Sequence, residues 1–242
     1  MAGARVREAV PRLKLREVIS RLEAFHGRPE PPAVTDPFEM ILWESVAYLV
    51  DDERRASTFA RLRDRIGLDP EDILNTPTEV LIGVIRDGGM GPEGRAEKLV
   101  RAADEVLPLG REGLRELIRT DPEKARRKLK RFPGIGEPGA DKILLFSHAK
   151  VTLAPDSNAL RTLVRIGFGQ EDKSYSRMYR SAEEAVESQL PADFPWLIRA
   201  HQLLRRHGQE ICKRTVPLCE ACPLTDGCRW YRQHSAPRHG KT

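Results

Sequence analysis

The sequence of 242 residues lacks several features that define large classes of protein. It has no apolar run of 18 residues, which excludes a transmembrane helix. Residues 1–9 are charged and no apolar core follows them, so nothing there resembles a secretory signal. The six histidines show no spacing typical of metal ligands, and no cysteine occurs outside one C-terminal segment. These absences predict a cytoplasmic protein, associated with the nucleoid if it is bacterial or archaeal.

The charge of the chain is mildly positive, because 41 Lys and Arg residues outnumber 36 Asp and Glu residues for a net charge of +5. The distribution of these charges matters more than the total. Two basic segments, residues 124–131 (KARRKLKR) and residues 229–241, flank the two most distinctive motifs. A run of charge is most often a solvated helix face, but these neighbours favour a polyanionic partner.

The hydrophobic pattern predicts an all-α protein. Apolar residues recur at three- and four-residue spacing almost everywhere, whereas strict two-residue alternation is scarce. A proline-rich connector, residues 27–37, separates an N-terminal helix from the rest. Several helices are predicted to start at an Asp or Thr followed by proline. The predicted helices are residues 39–52, 54–66, 70–74, 77–86, 92–106, 110–119, 122–131, 140–147, 157–167, 174–189 and 195–207.

The four cysteines, Cys212, Cys219, Cys222 and Cys228, lie within 17 residues with the spacing C-x6-C-x2-C-x5-C. Four thiolates in so short a segment predict one four-ligand metal centre. Zinc sites usually use two close pairs of ligands, whereas this segment has one C-x2-C with longer arms. The spacing therefore favours a [4Fe–4S] cluster over a zinc ion, and both of these over two disulfides.

A turn with the sequence Phe132-Pro133-Gly134-Ile135-Gly136 lies between two predicted helices, which indicates a helix–hairpin–helix. Its glycines allow backbone conformations closed to other residues and leave the backbone accessible. N–H groups at the turn and at the following helix start would form an anion site suited to a DNA phosphate. An ordinary interhelical turn is the alternative, and the turn alone does not decide between them.

Three motifs in order resemble the endonuclease III family of helix–hairpin–helix DNA glycosylases, in the iron–sulfur branch that includes the adenine mismatch glycosylases. They are the turn, the segment PDSNALRTLVRIG at residues 155–167, and HGQEIC from His207 followed by the other cysteines. The resemblance implies two lobes around a DNA-binding cleft. A helical barrel, residues 37–150, would end in the hairpin, and residues 1–36 with 151–242 would form the cluster lobe.

The resemblance also implies catalytic and DNA-binding roles. Asp156 matches the family's catalytic aspartate, whose carboxylate stabilises an oxocarbenium-like sugar and orients or deprotonates water. A helix cap is the alternative role for Asp156, and one geometry can serve both. Asn158 is similar to an orienting asparagine of the adenine glycosylases. The residues expected to contact DNA are Pro133, Gly134, Ile135, Gly136, Gly139, Met90 and Asn158. Met90 would be the apolar wedge that fills the gap left by the extruded base. His207 is expected to have a structural role.

Two departures from the bifunctional members of the family concern the chemistry. Those members place a Schiff-base lysine two residues after the turn, where this chain has Pro138, and a Schiff base needs an amine. Lys142 lies four residues further on and is expected to contact solvent or phosphate. Glu44 falls where monofunctional members place the acid that protonates the leaving base, a role that calls for a raised pKa. Trp43 and Tyr48 are candidates for lining the base pocket.

These observations predict a monofunctional DNA glycosylase that acts as a monomer on double-stranded DNA with a damaged or mismatched base. The base would be an alkylated purine, or uracil or thymine opposite guanine. The chain ends 14 residues after Cys228, so the C-terminal domain with which adenine mismatch enzymes read 8-oxoguanine is not expected. The alternatives are a bifunctional glycosylase/lyase and a catalytically silent DNA-binding iron–sulfur protein.

Overall fold

The computed structural model describes residues 13–234, so residues 1–9 and the end of the basic segment 229–241 lie outside it. Within the described residues the regular structure is helical, apart from an isolated bridge between Tyr48 and Gly89. The prediction of an all-α fold is confirmed. No helix in this part of the chain is long and apolar enough to cross a membrane.

The chain forms two compact units. We call Pro32–Lys150 the hairpin unit, and we call the residues up to Pro31 together with those from Val151 onward the cysteine unit. Helix α1 (Leu15–His26) belongs to the cysteine unit. The helices of the hairpin unit are α2 (Pro37–Val46), α3 (Asp52–Arg65), α4 (Pro70–Asn75), α5 (Thr78–Ile85), α6 (Pro92–Val106), α7 (Gly110–Thr120), α8 (Pro122–Leu129) and α9 (Glu137–Phe146).

Local sequence explains where several of these helices begin. The Asp36 carboxylate caps α2 by accepting hydrogen bonds from the N–H groups of Phe38 and Glu39, at 3.1 and 3.0 Å. Asp121 caps α8 by accepting from the N–H of Lys124 at 2.9 Å. A proline follows each aspartate, where its fixed φ suits the first helical turn. Such starts are readable from sequence because cap and helix are adjacent in the chain.

Helix α2 is the most deeply buried element of the hairpin unit. Phe38, Ile41, Leu42 and Val46 are each no more than 1% exposed, and they join one apolar cluster with residues from α3, α5, α6, α8 and α9. Burial of a large aliphatic or aromatic side chain contributes about 1.5–3 kcal/mol. The position of α2 is therefore fixed by packing on several sides.

The end of α2 differs from the prediction. The sequence predicts a helix to residue 52, whereas α2 ends at Val46. The N–H of Tyr48 donates instead to the carbonyl of Gly88 at 2.8 Å, and Leu49 takes a positive φ of 56°. Tertiary pairing with the loop before α6 thus overrides the helical spacing of this segment, and it leaves Tyr48 and Leu49 exposed.

The cysteine unit packs α10 (Ser157–Ile166) against α12 (Phe194–Glu210), with α11 (Tyr175–Val186) beside α10 and α1 beside α12. The close approach of α10 and α12 depends on Gly208, because a Cβ at this position would collide with the backbone oxygen of Asn158. A short helix, α13 (Arg229–His234), was not predicted. Short 3₁₀ turns carry the last three cysteines past α12.

Helix α9 begins at Glu137, three residues before its predicted start, so Pro138 occupies the first turn. The helix is joined to α8 through Asp141, which is fully buried. Arg126 of α8 donates to both Asp141 oxygens at 2.7 and 3.0 Å, and Lys150 donates at 2.9 Å. Burial alone would raise the pKa of Asp141, but the hydrogen bonds from Arg126 and Lys150 outweigh it and lower that pKa.

We expect Asp141→Asn to destabilise the protein by roughly 2–4 kcal/mol at pH 7, between the values for exposed and fully buried ion pairs. Urea unfolding measures this. Because the folded pKa of Asp141 is lowered, its contribution is present above its unfolded pKa of about 3.9 and is lost as the pH falls through the folded pKa. The difference between wild type and variant should therefore shrink under acid.

Glu116→Gln is the matched control, since Glu116 also binds an arginine through both oxygens but lies on the surface of α7. Its stability should stay close to wild type. Equal stability losses in the two variants would contradict a special role for Asp141.

Candidate nucleic-acid interface and metal centre

The turn between α8 and α9 is anchored by two buried side chains, Phe132 and Ile135. The N–H of Ile135 donates to the carbonyl of Phe132 at 3.1 Å and closes the turn. Gly134 between them has φ 83°, a left-handed conformation that favours glycine. The motif 132–136 therefore folds as a tight turn fixed from inside the hairpin unit.

On the outer side of this turn the backbone is accessible, because no side chain covers Gly134. A Cβ placed on Gly134 would meet only the side chain of Lys98, at 4.0 Å. The first N–H groups of a helix have no partner within the helix, so the start of α9 presents donors next to the turn. Pro138 at the second helical position has no N–H. Backbone donors and a nearby lysine make this surface suited to one phosphate group.

Buried Arg95 shapes the loop that carries Met90. Its guanidinium donates to five backbone carbonyls, among them Ile85 at 2.8 Å, Gly89 at 2.9 Å and Met90 at 3.0 Å, with Val46 and Arg86 as the others. Burial lowers the pKa of Arg95, although Glu93 opposes this effect. One side chain thus ties the end of α2 to the loop before α6.

The loop and the segment after α2 present an exposed apolar surface, which we call the ledge and which consists of Leu49 and Met90 with Tyr48 beside them. Met90 is 66% exposed, Leu49 71% and Tyr48 58%. The parallel bridge between Tyr48 and Gly89 lets the next residues, Leu49 and Met90, run side by side. Sequence reasoning proposed Met90 and missed Leu49, because it placed residue 49 inside a helix. Trp43, in contrast, is half-buried and packs edge to face on Phe59 at 5.3 Å, as a core residue does.

Asp156 is the N-cap of α10. Its Oδ1 accepts hydrogen bonds from the N–H groups of Asn158 and Ala159 at 2.9 and 2.8 Å. Its Oδ2 lies 3.4 Å from the Asn158 side-chain nitrogen and 3.6 Å from Nε of Arg205. Arg161 donates to the Asn158 Oδ1 at 2.9 Å. Capping of α10 therefore uses Oδ1 of Asp156, and this fixes the direction in which Oδ2 points.

Glu44 and Lys142 form an ion pair between α2 and α9. The Lys142 side chain is 19% exposed and that of Glu44 32%. Sequence reasoning assigned Lys142 to solvent or phosphate, because a pair of residues 98 positions apart leaves no local signal. Glu44 and Lys142 belong to the hairpin unit, whereas Asp156 and Asn158 belong to the cysteine unit.

All four cysteines line one cavity, together with apolar side chains that include Ile166, Ile211, Leu218 and Trp230. Burial raises the pKa of Cys222 to about 12 and also raises that of Cys228. Within residues 13–234, no three side chains of His, Cys, Asp or Glu are placed to hold a single metal ion. Four thiols around one shared cavity are nevertheless a donor set that a metal centre could use.

His207 connects this cavity to α1. Its Nε2 lies 3.4 Å from Cys222 Sγ and its Nδ1 lies 3.1 Å from Nε2 of His26. His26 in turn is 3.4 Å from Glu210. Burial lowers the pKa of His207 to about 4, so the ring is neutral at physiological pH. The expectation that His207 is structural stays a prediction, and its partner His26 was not identified from sequence.

The fold has counterparts among known proteins, although no protein-family model matches the chain. Endonuclease III of Thermotoga maritima is 26% identical over 222 residues, 90% of this chain and 92% of the relative. Endonuclease III of Sulfolobus acidocaldarius is 26% identical over 196 residues, 80% of this chain and 82% of the relative. A solved non-covalent endonuclease III–DNA complex superposes with a TM-score of 0.69 at 21% identity, covering 90% of this chain and 95% of that one.

The architecture is thus the all-α fold of endonuclease III, with a helix–hairpin–helix in one unit. Sequence likeness to endonuclease III also extends along most of the length of the chain. The resemblance to the helix–hairpin–helix DNA glycosylases that the motifs indicated is confirmed.

Proposed function

We propose that this protein is a monofunctional DNA glycosylase of base excision repair. It binds double-stranded DNA as a monomer, extrudes a damaged or mismatched base, and hydrolyses the bond between base and deoxyribose. The observation that carries this function is the geometry of Asp156, in which the cap fixes one oxygen and leaves the other directed for chemistry. The base is an alkylated purine, or uracil or thymine opposite guanine.

Asp156 would act on the sugar. Cleavage of the N-glycosidic bond builds positive charge on deoxyribose, and a preorganised carboxylate stabilises that charge without reorganisation. The same oxygen can accept the proton of the attacking water. Asn158 and Arg205, both near Oδ2, would orient it.

The hairpin and the ledge would hold the DNA. The open backbone of Gly134 and Gly136 and the start of α9 would bind one phosphate and fix position without reading sequence. The apolar ledge of Leu49 and Met90 would fill the space left by the extruded nucleotide, with Tyr48 at its edge.

Hydrolysis without strand cleavage is supported by two observations at α9. Pro138 stands at the position where bifunctional relatives have the Schiff-base lysine, and proline has no amine. Lys142 lies one helical turn further on the same face, but its amine is paired with Glu44. The proposed product is an intact abasic site.

A [4Fe–4S] cluster is the cofactor that the four cysteines would hold. The cavity lined by all four cysteines supports a shared metal centre, and the spacing C-x6-C-x2-C-x5-C favours the cluster over a single zinc ion. When bound, the cluster supplies iron–thiolate links that stabilise the end of the chain against α10 and α12. His207 would pack against the Cys222 ligand.

We expect Asp156→Asn to lower single-turnover base excision at least about a hundredfold, since removing a charge-stabilising group costs this much. Duplex binding and thermal stability should change little, because asparagine also caps helices. Asp193→Asn is the control, as Asp193 is also a helix cap and accepts from the N–H of Trp196 at the start of α12. Near wild-type excision by Asp156→Asn would leave Asp156 with a capping role only.

The reaction should yield strand breaks only after hot alkali. Incubation with borohydride should trap no covalent protein–DNA complex, because no free amine occupies position 138. Gel analysis of a labelled duplex measures both. Trapping that disappears in Lys142→Ala would show instead that Lys142 leaves Glu44 and acts as a nucleophile.

Protein purified without oxygen should be brown and contain about four irons. Cys222→Ser should lose iron and unfold the C-terminal segment, because metal binding and folding are coupled at such sites. Elemental analysis and far-ultraviolet circular dichroism measure the two effects. One zinc and no iron would refute the cluster.

A further inference from the structure

The basic segment 124–131 is divided in the structure among three environments. Arg126 binds a buried carboxylate on α9, and Lys130 lies 3.4 Å from the carboxylate of Glu137. The remaining cations, spaced three and four residues apart along one side of α8 and the turn after it, are Lys124, Arg127, Lys128 and Arg131. This third group is the part of the segment that the proposed function does not use.

These four cations border a groove of about 440 Å³. Its other lining residues are apolar and come from the connection between α6 and α7 and from α7 itself: Pro108, Leu109 and Leu117. Leu109 is 39% exposed and lies against Gly113, where a Cβ would be only 2.8 Å from the Leu109 Cγ. The groove therefore has an apolar floor packed closely on the backbone of α7, and its volume is typical of ligand pockets.

The groove carries positive charge that is only partly compensated. One carboxylate, that of Glu105, is shared by two of the cations: it lies 3.2 Å from Arg131 Nε and also forms an ion pair with Lys128. Lys124 and Arg127 are exposed, and within residues 13–234 no carboxylate pairs with either of them. An apolar floor beside uncompensated cations complements a ligand that carries both carboxylates and an apolar group.

One side of the groove is already ordered. Lys128 Nζ donates to the Glu105 carbonyl at 3.1 Å and lies 5.9 Å from the centre of the buried Phe132 ring. Side chains that are fixed before binding lose little conformational freedom when a ligand arrives.

A protein segment fits this groove better than a DNA duplex does. The centre of a protein–protein interface is apolar and its rim is polar, which is the arrangement of the groove. A duplex presents phosphates and sugars, and proteins contact these with N–H donors across interfaces that are more polar. The floor of Pro108, Leu109 and Leu117 would give a phosphate group nothing to bind.

We propose that the groove is a docking site for an acidic segment of a partner protein, in which carboxylates flank one large apolar side chain. The apolar side chain packs on Leu109 and Leu117, and the carboxylates pair with Lys124 and Arg127. The groove lies within the hairpin unit and Asp156 within the cysteine unit. Docking is therefore a separate function, and it stands or falls independently of base release.

The test measures the fluorescence anisotropy of short labelled peptides made of Asp and Glu around one central residue, which is Phe, Leu, Trp or Ala. Wild-type protein should bind at least one of the Phe, Leu and Trp peptides about tenfold more tightly than the Ala peptide, because a large apolar anchor contributes most of the binding at such sites. Added salt should weaken the binding, since it screens exposed charges.

Two variants separate the cations from the apolar floor. Lys124→Glu with Arg127→Glu should weaken the binding of every peptide at least about tenfold, because the carboxylates would then face like charges. Leu109→Ser should weaken the peptides with a large apolar residue about tenfold and leave the Ala peptide unchanged. Leu109→Met keeps an apolar floor and should bind as the wild type does. Circular dichroism checks that each variant is folded.

Arg177→Glu with Arg180→Glu is the matched control. These two residues are exposed and three positions apart on α11, as Lys124 and Arg127 are on α8, so the change in charge is the same. They line no part of the groove. Peptide binding by this variant should match that of the wild type.

Three results would overturn the docking site. No binding of any peptide would do so, and equal affinity for all four would mean a charged, solvated helix face without an apolar anchor. The third result concerns a labelled duplex that displaces the peptides. If its affinity falls in Lys124→Glu with Arg127→Glu and is unchanged in Leu109→Ser, the cations of the groove belong to DNA binding.

Discussion

The buried carboxylate of Asp141 is the interaction on which the hairpin depends. Arg126 fixes it from α8 and Lys150 from the end of the hairpin unit. The relative position of α8 and α9 sets the turn, the open backbone at Gly134 and the direction of Lys142. A carboxylate without its partners would be costly inside the protein, so α9 has one favourable position. The open backbone of the turn and the ion pair of Lys142 with Glu44 both follow from that position.

Arg95 fixes the exposed ledge of Leu49 and Met90 from the protein interior, as Asp141 fixes the hairpin. Its guanidinium is 4% exposed and collects carbonyls that would otherwise point into the interior without donors. Buried carbonyls need such partners, and no regular structure supplies them where α2 and α5 both end. The backbone that carries the exposed side chains of Leu49 and Met90 is thus fixed by the buried guanidinium of Arg95. Apolar side chains at a fixed position on the surface suit insertion better than a mobile loop would.

The sequence predicted what is local and failed where distant segments meet. Helix α6 has the predicted bounds, 92–106, because its proline start and periodicity are contiguous. The cap at Asp156 was readable for the same reason. The end of α2 was not, since the carbonyl that receives the Tyr48 N–H is 40 residues away. The pairing of Glu44 with Lys142 was not readable from sequence either, because it exists only where α2 packs near α9.

Pro138 and Lys142 are the two residues on which the proposed hydrolysis without strand cleavage depends. Proline fits the first turn of α9 because its missing N–H is not needed there, so the loss of a nucleophile costs the helix little. An amine one turn away could restore a lyase if it were free. Its pairing with Glu44 instead ties the amine to α2. The ion pair across α2 and α9 would then hold Lys142 in a role other than that of a nucleophile.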